Sequence, residues 1–553
     1  MVLALFALAT LAAPAGAQTR PNIVLVLTDD QRWDTLSAMP TVQSELVNKG
    51  VNFSNGFVVN SLCCPSRASL LTGQYSHSTG VYANKGSRGY RAFRESSTIA
   101  TWLQMAGYTT GYVGKYLNGY RGPHVPPGWS RWIAFQGAGF FNYTLNVNGM
   151  PVWHGSAAEN YSTDVLAGEA ASFIEQAPGP FFLTFAPFAP HGPATPAPRH
   201  QNAFGGLDPW RPPSYNEPDV SDKPEWVRTL PQMAPERQTL VDNFRRSQLR
   251  SLLAVDEAVK TILGTLERTG KLRDTLIVFT SDNGMAWGEH RRSHKEDPYE
   301  ESIRVPFVVR YDALGLPPRA ERRLALNIDL APTFAQLGGA PLPLADGRSL
   351  LPLLTTPTSP WRRDFLIEHL RTASGRMPTY CGVRTTNALY VSYETGEEEL
   401  YDIAADPHQL SNLAANRAAR TRLVSLRRRL GQLCNPPPPT LCSMKGTRRA
   451  DVLYGTPGFE VVCAYDGDDL VTADAGSDIV FAGRGHDDVY GKTGNDRLRG
   501  GPGADWLFGG PGDDTFDVRD GQRDVVSCST GRDTVTADRR DRVSRGCERV
   551  SRS

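Results

Sequence analysis

The sequence predicts an α/β protein: a doubly wound sheet, then a smaller C-terminal α+β lobe, then a parallel β-roll of nonapeptide repeats. Three observations carry this reading. Short, unbroken apolar runs end in acidic or other polar residues, as expected of central strands covered on both faces. A long stretch between two of them keeps a helical period. Near the C-terminus, glycine and aspartate recur every nine residues.

The elements follow in order. Val2 to Ala13 is almost wholly apolar and leads into Ala15-Gly16-Ala17, the small-residue pattern of a signal peptide cut after Ala17, although no Lys or Arg precedes the run. Asn22 to Leu27 (NIVLVL) is the first strand. Thr28-Asp29-Asp30 then places two carboxylates at its C-terminal edge, where open α/β sheets bind ligands. Phe181 to Phe185 (FFLTF) leads into Ala189-Pro190-His191-Gly192, and Ile277 to Thr280 (IVFT) into Ser281-Asp282-Asn283-Gly284. Asn243 to Leu266 carries apolar residues at 249, 252, 253, 255, 259, 262, 263 and 266, one face of a helix. Leu389 to Leu400 reads as paired short strands in an α+β lobe over about 340–432, the last part of a body spanning 18–435. Residues 436–445 form a linker stiffened by Pro436 to Pro439.

The roll is expected over 446–553. Gly467, Gly476, Gly485, Gly494, Gly503, Gly512 and Gly521 keep the period of nine. Asp469, Asp478, Asp487, Asp496, Asp505 and Asp514 follow six of them by two positions, and Val471, Val480, Val489, Leu498, Leu507 and Phe516 follow the aspartates by two. Glycines permit tight turns, aspartates supply hard oxygen ligands for Ca²⁺, and the apolar residues stack inward. A merely acidic, disordered tail would not hold six repeats in phase.

Composition narrows the function. Lys+Arg 59 against Asp+Glu 58 leaves a formal net charge of +1, too little for a general nucleic-acid binder. The balance is uneven, because 16 acidic and 6 basic residues from Asp451 to Val525 give −10 and leave +11 on the remainder. Beyond the N-terminus no apolar run is long enough to span a bilayer, so no transmembrane anchor is expected. Eight cysteines suit an extracytoplasmic protein, with Cys434–Cys442 and Cys528–Cys547 as candidate loop-closing pairs.

Ser61 to Gly73 (SLCCPSRASLLTG) reads as a loop entering a helix, with Pro65 suited to the first helical position. Cys63 then sits at the positive end of that helix with Arg67 one turn on, a setting that lowers a thiol's pKa and attracts anions. A buried structural cysteine or a disulfide partner is the plainer alternative.

The run C-x-P-S-R-x-S-L-L-T-G from Cys63 to Gly73 resembles the type I sulfatase signature, in which the first cysteine becomes formylglycine. Asn22 to Asp30, Gly111-Tyr112-Val113-Gly114-Lys115, Ser281 to Gly284, Lys295 to Pro306 and Leu400 to Leu413 resemble other segments of that family in the same order, so the likeness covers about 20–430. The repeats resemble the RTX family. The resemblance implies an alkaline-phosphatase-like fold and a sulfuric ester hydrolase. It assigns a divalent metal to Asp29, Asp30, Asp282 and Asn283, with residue 63 completing the shell. Such an all-oxygen set without an imidazole suits Ca²⁺, with Mg²⁺ as the alternative. In the implied reaction a hydrated formylglycine attacks sulfur in line. Arg67, Lys115 and Lys295 stabilise the transferring group, His191 or Lys295 serves the leaving alcohol, and the second hydroxyl lets the sulfated intermediate collapse. A formylglycine-generating enzyme is then a required partner.

One position departs from the common pattern. Many members carry a histidine two residues after the motif lysine, where this chain has Leu117 within Lys115-Tyr116-Leu117-Asn118. That pattern, with the paired Cys63-Cys64 and the Gly288-Glu289-His290 spacing before Lys295, resembles the branch of N-acetylglucosamine-6-sulfatase and the extracellular endosulfatases. It implies a sulfated carbohydrate substrate, such as N-acetylglucosamine-6-sulfate units, and turnover of aryl sulfates in vitro. Asn118 is a candidate sulfate contact, His290 or His124 the candidate base, and His77 a structural residue. Two rivals stand beside this reading: a phosphonate or phosphate-ester hydrolase of the same superfamily, and an inactive calcium-dependent binding protein. The chain is expected to be secreted, or held at a cell surface, with a roll that folds on calcium.

Overall fold

The computed structural model describes residues 20–342, 345–356, 358–371, 377–434, 442, 444–458 and 460–552. The expected signal peptide and most of the proline linker lie outside them. A ten-stranded sheet organises the body. Asn22–Thr28 is buried at every position because strands flank it on both sides and helices cover both of its faces. It pairs in parallel with Thr275–Ser281 (Val24 opposite Ile277) and with Phe181–Ala186 (Val24 opposite Leu183). Thr109–Gly114 and Arg131–Phe135 extend the parallel set, and the edges turn antiparallel through Phe307–Arg310 on one side and Tyr143–Val147 with Met150–His154 on the other.

The alternation of side chains along the first strand divides the core. Val24 and Val26 enter a cluster with Leu252, Val255 and Ile262 of the helix Pro235–Arg268. Ile23, Leu25 and Leu27 enter another with Ala68, Leu70 and Leu71 of Cys63–Thr72 and Phe334 of Leu330–Gly338. The long helix begins earlier than the sequence period suggests, at Pro235, which suits a first helical position. Its first two turns bury only Val241, so the apolar period is silent there.

The smaller lobe is an antiparallel sheet of Asp364–His369, Tyr380–Thr385, Ala388–Tyr393 and Glu398–Asp402. Arg420–Leu433 lies across it, burying Leu423, Leu426 and Leu430 against Leu366, Val383 and Tyr390. This packing corrects the expected Cys434–Cys442 pair. Cys434 follows the last helical turn and is carried onto the sheet, where it bonds Cys381, 6.3 Å away between Cα atoms. Cys442 bonds Cys463 instead, and Cys528–Cys547 forms as expected.

Past the linker the chain winds into two parallel sheets of seven and six strands, joined alternately. Each coil takes two nonapeptides, so Val462 pairs with Val480 and Val471 with Val489. Val462, Val471, Val480, Val489, Leu498, Leu507, Phe516, Val526 and Val535 form one buried stack. Coils stack closely at the glycine turns: a Cβ on Gly485 would lie 1.8 Å from the carbonyl oxygen of Gly467, and its φ of +141° suits glycine.

The disulfide pattern is open to a direct check. Peptide mapping without reduction is expected to join the Cys381 peptide to the Cys434 peptide and the Cys442 peptide to the Cys463 peptide. A Cys434–Cys442 linkage would contradict the placement of Arg420–Leu433 on the lobe sheet.

Candidate active site

The site forms where two parallel strands end side by side. Thr28 is in register with Ser281, so Asp29-Asp30 and Asp282-Asn283 emerge together. Asp30 adopts φ +66°, a left-handed conformation rare outside glycine, and the turn lets its N–H donate to Asp282 Oδ1 at 3.1 Å while the Gln31 N–H donates to Ser281 Oγ at 2.9 Å. Asn283 Nδ2 donates to Asp30 Oδ1 at 2.6 Å, leaving Asn283 Oδ1 buried with no partner.

Cys63 is the first residue of its helix and is 0% exposed. Leu62 at the cap has no side chain able to accept a hydrogen bond, so the first turn is satisfied from elsewhere: the Cys64 N–H donates to Asn84 Oδ1 at 2.9 Å and the Leu62 N–H to Asn60 Oδ1 at 3.2 Å. Pro65 occupies the third helical position rather than the first, where it still displaces no intrahelical bond. Asn84 carries no pattern in the sequence that marks it; only the fold brings its loop to the helix.

Cations converge on these groups from separate elements. Lys115 Nζ lies 2.5 Å from Asp29 Oδ2. Lys115 is held there by its own N–H, which donates to the Ala186 carbonyl at 2.7 Å, an approach that Gly114 permits because a Cβ there would sit 1.9 Å from that oxygen. Lys295 Nζ bonds Asp30 Oδ1 and lies 2.8 Å from Cys63 Sγ. Arg67 Nε donates to Asp282 Oδ2 at 2.7 Å, and its Nη2, 4.0 Å from Asp29 Oδ2, is buried without a hydrogen-bond partner. Burial alone would raise Asp29 and Asp30. Lys115, His191 and Arg67 outweigh it at Asp29, and Lys295 and His191 do so at Asp30, holding both below the usual carboxylate range.

The thiol behaves otherwise than the helix position suggests. Burial pushes Cys63 up to about 12, and the pull of Lys115 and Lys295 does not offset it. At neutral pH this side chain is a thiol, not a nucleophilic thiolate.

His191 completes the group. Its Nε2 is 3.7 Å from Asp30 Oδ2, and ligand atoms of Asp29, Asp30, Cys63 and His191 all lie within 4.8 Å of one another. The expected all-oxygen set therefore has an imidazole at its rim. His191 Nδ1 donates to the Gly192 carbonyl at 2.7 Å, since a carbonyl can only accept, which leaves Nε2 as the nitrogen facing the carboxylates. Two other histidines are held elsewhere. His290 is buried, bonded to Glu217 at 2.7 Å with its ring tilted against Tyr299 at 4.3 Å between centroids, and His124 pairs with Glu95 at 2.6 Å. His77 pairs with Glu368, in line with its structural reading. Asn118 accepts from the Cys64 thiol through its carbonyl, and its Oδ1 is buried without a partner.

The donor set fits a hard divalent cation. Three buried carboxylates and the unpartnered Oδ1 of Asn283 are oxygen ligands of the kind Ca²⁺ or Mg²⁺ takes.

The roll repeats this chemistry without lysines. Backbone N–H groups donate to Asp Oδ1 eighteen residues on, as Asp469 to Asp487 (2.9 Å) and Asp478 to Asp496 (2.8 Å). The Oδ2 atoms of Asp469, Asp478, Asp487, Asp496, Asp505 and Asp514 are buried without a partner, and so are those of Asp524 and Asp533. The sequence period missed these last two because one residue is inserted between Asp514 and Asp524, although Asp524-x-Val526 and Asp533-x-Val535 keep the motif.

The chain is similar to known proteins over both its body and its roll. The sulfatase family matches residues 21–340, the N-sulphoglucosamine sulphohydrolase C-terminal family 288–435, and the RTX calcium-binding nonapeptide repeat 454–489, 464–497 and 490–525. The human N-acetylglucosamine-6-sulfatase is 35% identical over 459 residues, covering 72% of this chain and 82% of that protein. The Drosophila melanogaster extracellular sulfatase SULF-1 homolog is 36% identical over 66% of this chain, which spans about a third (34%) of that protein's length. A solved structure in complex with its substrate D-glucosamine-2-N,6-O-disulfate superposes with a TM-score of 0.67 at 25% identity, over 75% of this chain and 98% of that one.

The roll's aspartates make its stability depend on pH in a defined direction. Burial, then neighbouring aspartates, raise Asp487, Asp505 and Asp514 from 3.8 to about 7, 8 and 7. The folded roll then holds these protons more tightly than the unfolded chain. Without calcium their contribution is complete below about pH 4 and is lost as pH rises toward about 8. Thermal unfolding in chelator is expected to show the roll's transition falling between about pH 5 and pH 8, and saturating calcium to restore it. A calcium-free transition that rises over that range would refute this account.

Proposed function

The chain belongs to the sulfatase family, and from that premise we propose that it is a secreted sulfuric ester hydrolase that releases sulfate from a sulfated carbohydrate, with N-acetylglucosamine-6-sulfate units as the substrate class. The observation that carries the reading is Cys63 at a helix N-terminus, ringed by Asp29, Asp30, Lys115, Lys295 and His191.

Charge explains the arrangement. Asp29, Asp30 and Asp282 are balanced by Arg67, Lys115 and Lys295, so the ring without an added ion is near neutral. A divalent ion held by Asp29, Asp30, Asp282 and Asn283 would make it positive and polarise a sulfate oxygen. Conversion of the Cys63 thiol to an aldehyde supplies a hydrated nucleophile whose second hydroxyl lets sulfate leave. Lys295 Nζ and the helix N-terminus bracket the attacking position and bind the sulfuryl oxygens. Lys115 fixes Asp29, and Arg67 fixes Asp282, so each carboxylate holds one orientation through the cycle. His191, 30% exposed, is the group on the open side, and a proton on Nε2 would pass to the leaving sugar oxygen. Cys63 is wholly buried, so in this reading the maturation enzyme meets it on an unfolded chain.

Three disulfides among the described residues support an oxidising compartment, and no helix among those residues is long and apolar enough to cross a membrane. The phosphonate alternative has the support of fold alone: a phosphonate monoester hydrolase from Agrobacterium radiobacter superposes with a TM-score of 0.61 at 22% identity.

Mass spectrometry of the Cys63 peptide from the native host is expected to show a loss of about 18 Da, the change from thiol to aldehyde. An unmodified Cys63 in protein that nevertheless releases sulfate would refute the nucleophile. Lys295→Ala is expected to lower kcat for sulfate release by about 10²–10³-fold, the range for losing one transition-state contact. Faster turnover of a phosphonate ester than of N-acetylglucosamine 6-sulfate would move the assignment to the rival chemistry.

A further inference from the structure

One feature that the active site does not use is a cleft between the body and the roll. Val462, Val480 and Leu498 of the seven-stranded sheet point into the roll's core, while Cys463, Phe481 and Arg499 lie on its outer face and line the cleft. Two adjoining cavities of about 710 and about 650 Å³ open there.

Five arginines line these cavities: Arg88 and Arg94 from the body, and Arg448, Arg484 and Arg499 from the roll. None of the five forms an ion pair among the described residues. Some surface arginines are matched, as Arg199 is with Asp164 and Glu257, Arg211 with Asp242, and Arg422 with Asp402, and others, such as Arg121 and Arg273, stand singly among the described residues; what distinguishes the cleft is that five converge on one pair of cavities. Two carboxylates share the cleft. Asp346 is occupied by the Tyr75 N–H and the Ser78 hydroxyl, and Asp466 sits beside Arg484 in the strand register. The cleft thus carries an excess of three positive charges, two of them on a roll that is otherwise acidic, and the guanidinium fork is the side chain best matched to sulfate oxygens.

The body's share of the cleft is tied to the active site by one loop. Asn84, which caps the Cys63 helix, lies four residues before Arg88, and Glu95, bonded to Tyr90 and His124, follows Arg94. A polymer lying in the cleft would therefore run beside the loop that supports the nucleophile helix.

We propose that this cleft is a second binding surface that holds a stretch of sulfated polysaccharide outside the active site, gripped between the body and the calcium-loaded roll. The choice of ligand rests on the sulfatase reading; the binding itself does not depend on catalysis. The full-length, calcium-loaded protein is the material for the test, with heparin as the polysulfated probe and hyaluronan and duplex DNA as anionic polymers without sulfate esters. Heparin is expected to bind with strong salt dependence and at least tenfold tighter than either control. Arg88→Ala with Arg484→Ala, both exposed positions, should weaken heparin at least tenfold and flatten the salt dependence, and Arg88→Lys with Arg484→Lys should recover part of the loss. Turnover of a small aryl sulfate should be unchanged in both variants, which also reports that the fold is intact. Equal heparin affinity in wild type and the alanine variant, or DNA or hyaluronan binding as tightly as heparin, would overturn the proposal. Failure of the enzymatic reading would register separately, as heparin binding without sulfate release.

Discussion

Three carboxylates, Asp29, Asp30 and Asp282, lie wholly buried at the ends of two adjacent parallel strands, and the body is arranged to make that burial tolerable. Removing one ion from water costs several kcal/mol even after relaxation. Each carboxylate meets a cation brought by a different element: Lys115 by the strand Thr109–Gly114, Arg67 by the helix Cys63–Thr72, and Lys295 by the loop after Thr275–Ser281. The charges cannot be separated without leaving a buried ion unmatched. This couples the order of the sheet, the pitch of the helix and the path of the loop to one cluster. It also explains why Asp30 is held in a left-handed conformation that an ordinary turn would avoid.

The roll meets a related problem with the opposite solution. Its aspartates stack coil upon coil, each using one oxygen to accept from the backbone of a neighbouring coil and leaving the other unpartnered. No lysine is brought to them. A chain that buries carboxylates in columns without cations of its own depends on a cation from solution, and the raised pKa values of Asp487, Asp505 and Asp514 are the protonic form of the same need. The body carries its counter-charges in its sequence; the roll borrows them.

This difference sets what could be read without coordinates. NIVLVL followed by Asp29-Asp30, and IVFT followed by Asp282-Asn283, announce buried strands and a site at their ends, because apolar runs and terminal carboxylates are local signals. The roll was legible from its period alone until one inserted residue hid Asp524 and Asp533. What depends on tertiary packing was not legible. Cys434 sits nearer in sequence to Cys442 than to Cys381, yet the helix Arg420–Leu433 delivers it to the lobe sheet. The helix position of Cys63 suggests an acidic thiol, but complete burial reverses the sign. His290 stands in a suggestive spacing before Lys295, while the fold gives its ring to Glu217 and Tyr299.

The two charge solutions meet at the cleft. An active site enclosed by paired ions has little free positive charge with which to draw in a polyanion, because Arg67, Lys115 and Lys295 are already matched and only Lys295 is partly exposed. Attraction at a distance needs exposed, uncompensated charge. The unpaired arginines between body and roll are of that kind, and their place beside the loop that caps the Cys63 helix puts the attraction next to the chemistry without altering it. Holding one part of a polymer there raises the effective concentration of its other sulfate groups at the site, a gain in apparent affinity that requires no new contact with the reacting ester. The calcium held by the roll, unlike an ion in the active site, would then act on turnover only indirectly, by keeping the roll folded so that its side of the cleft exists.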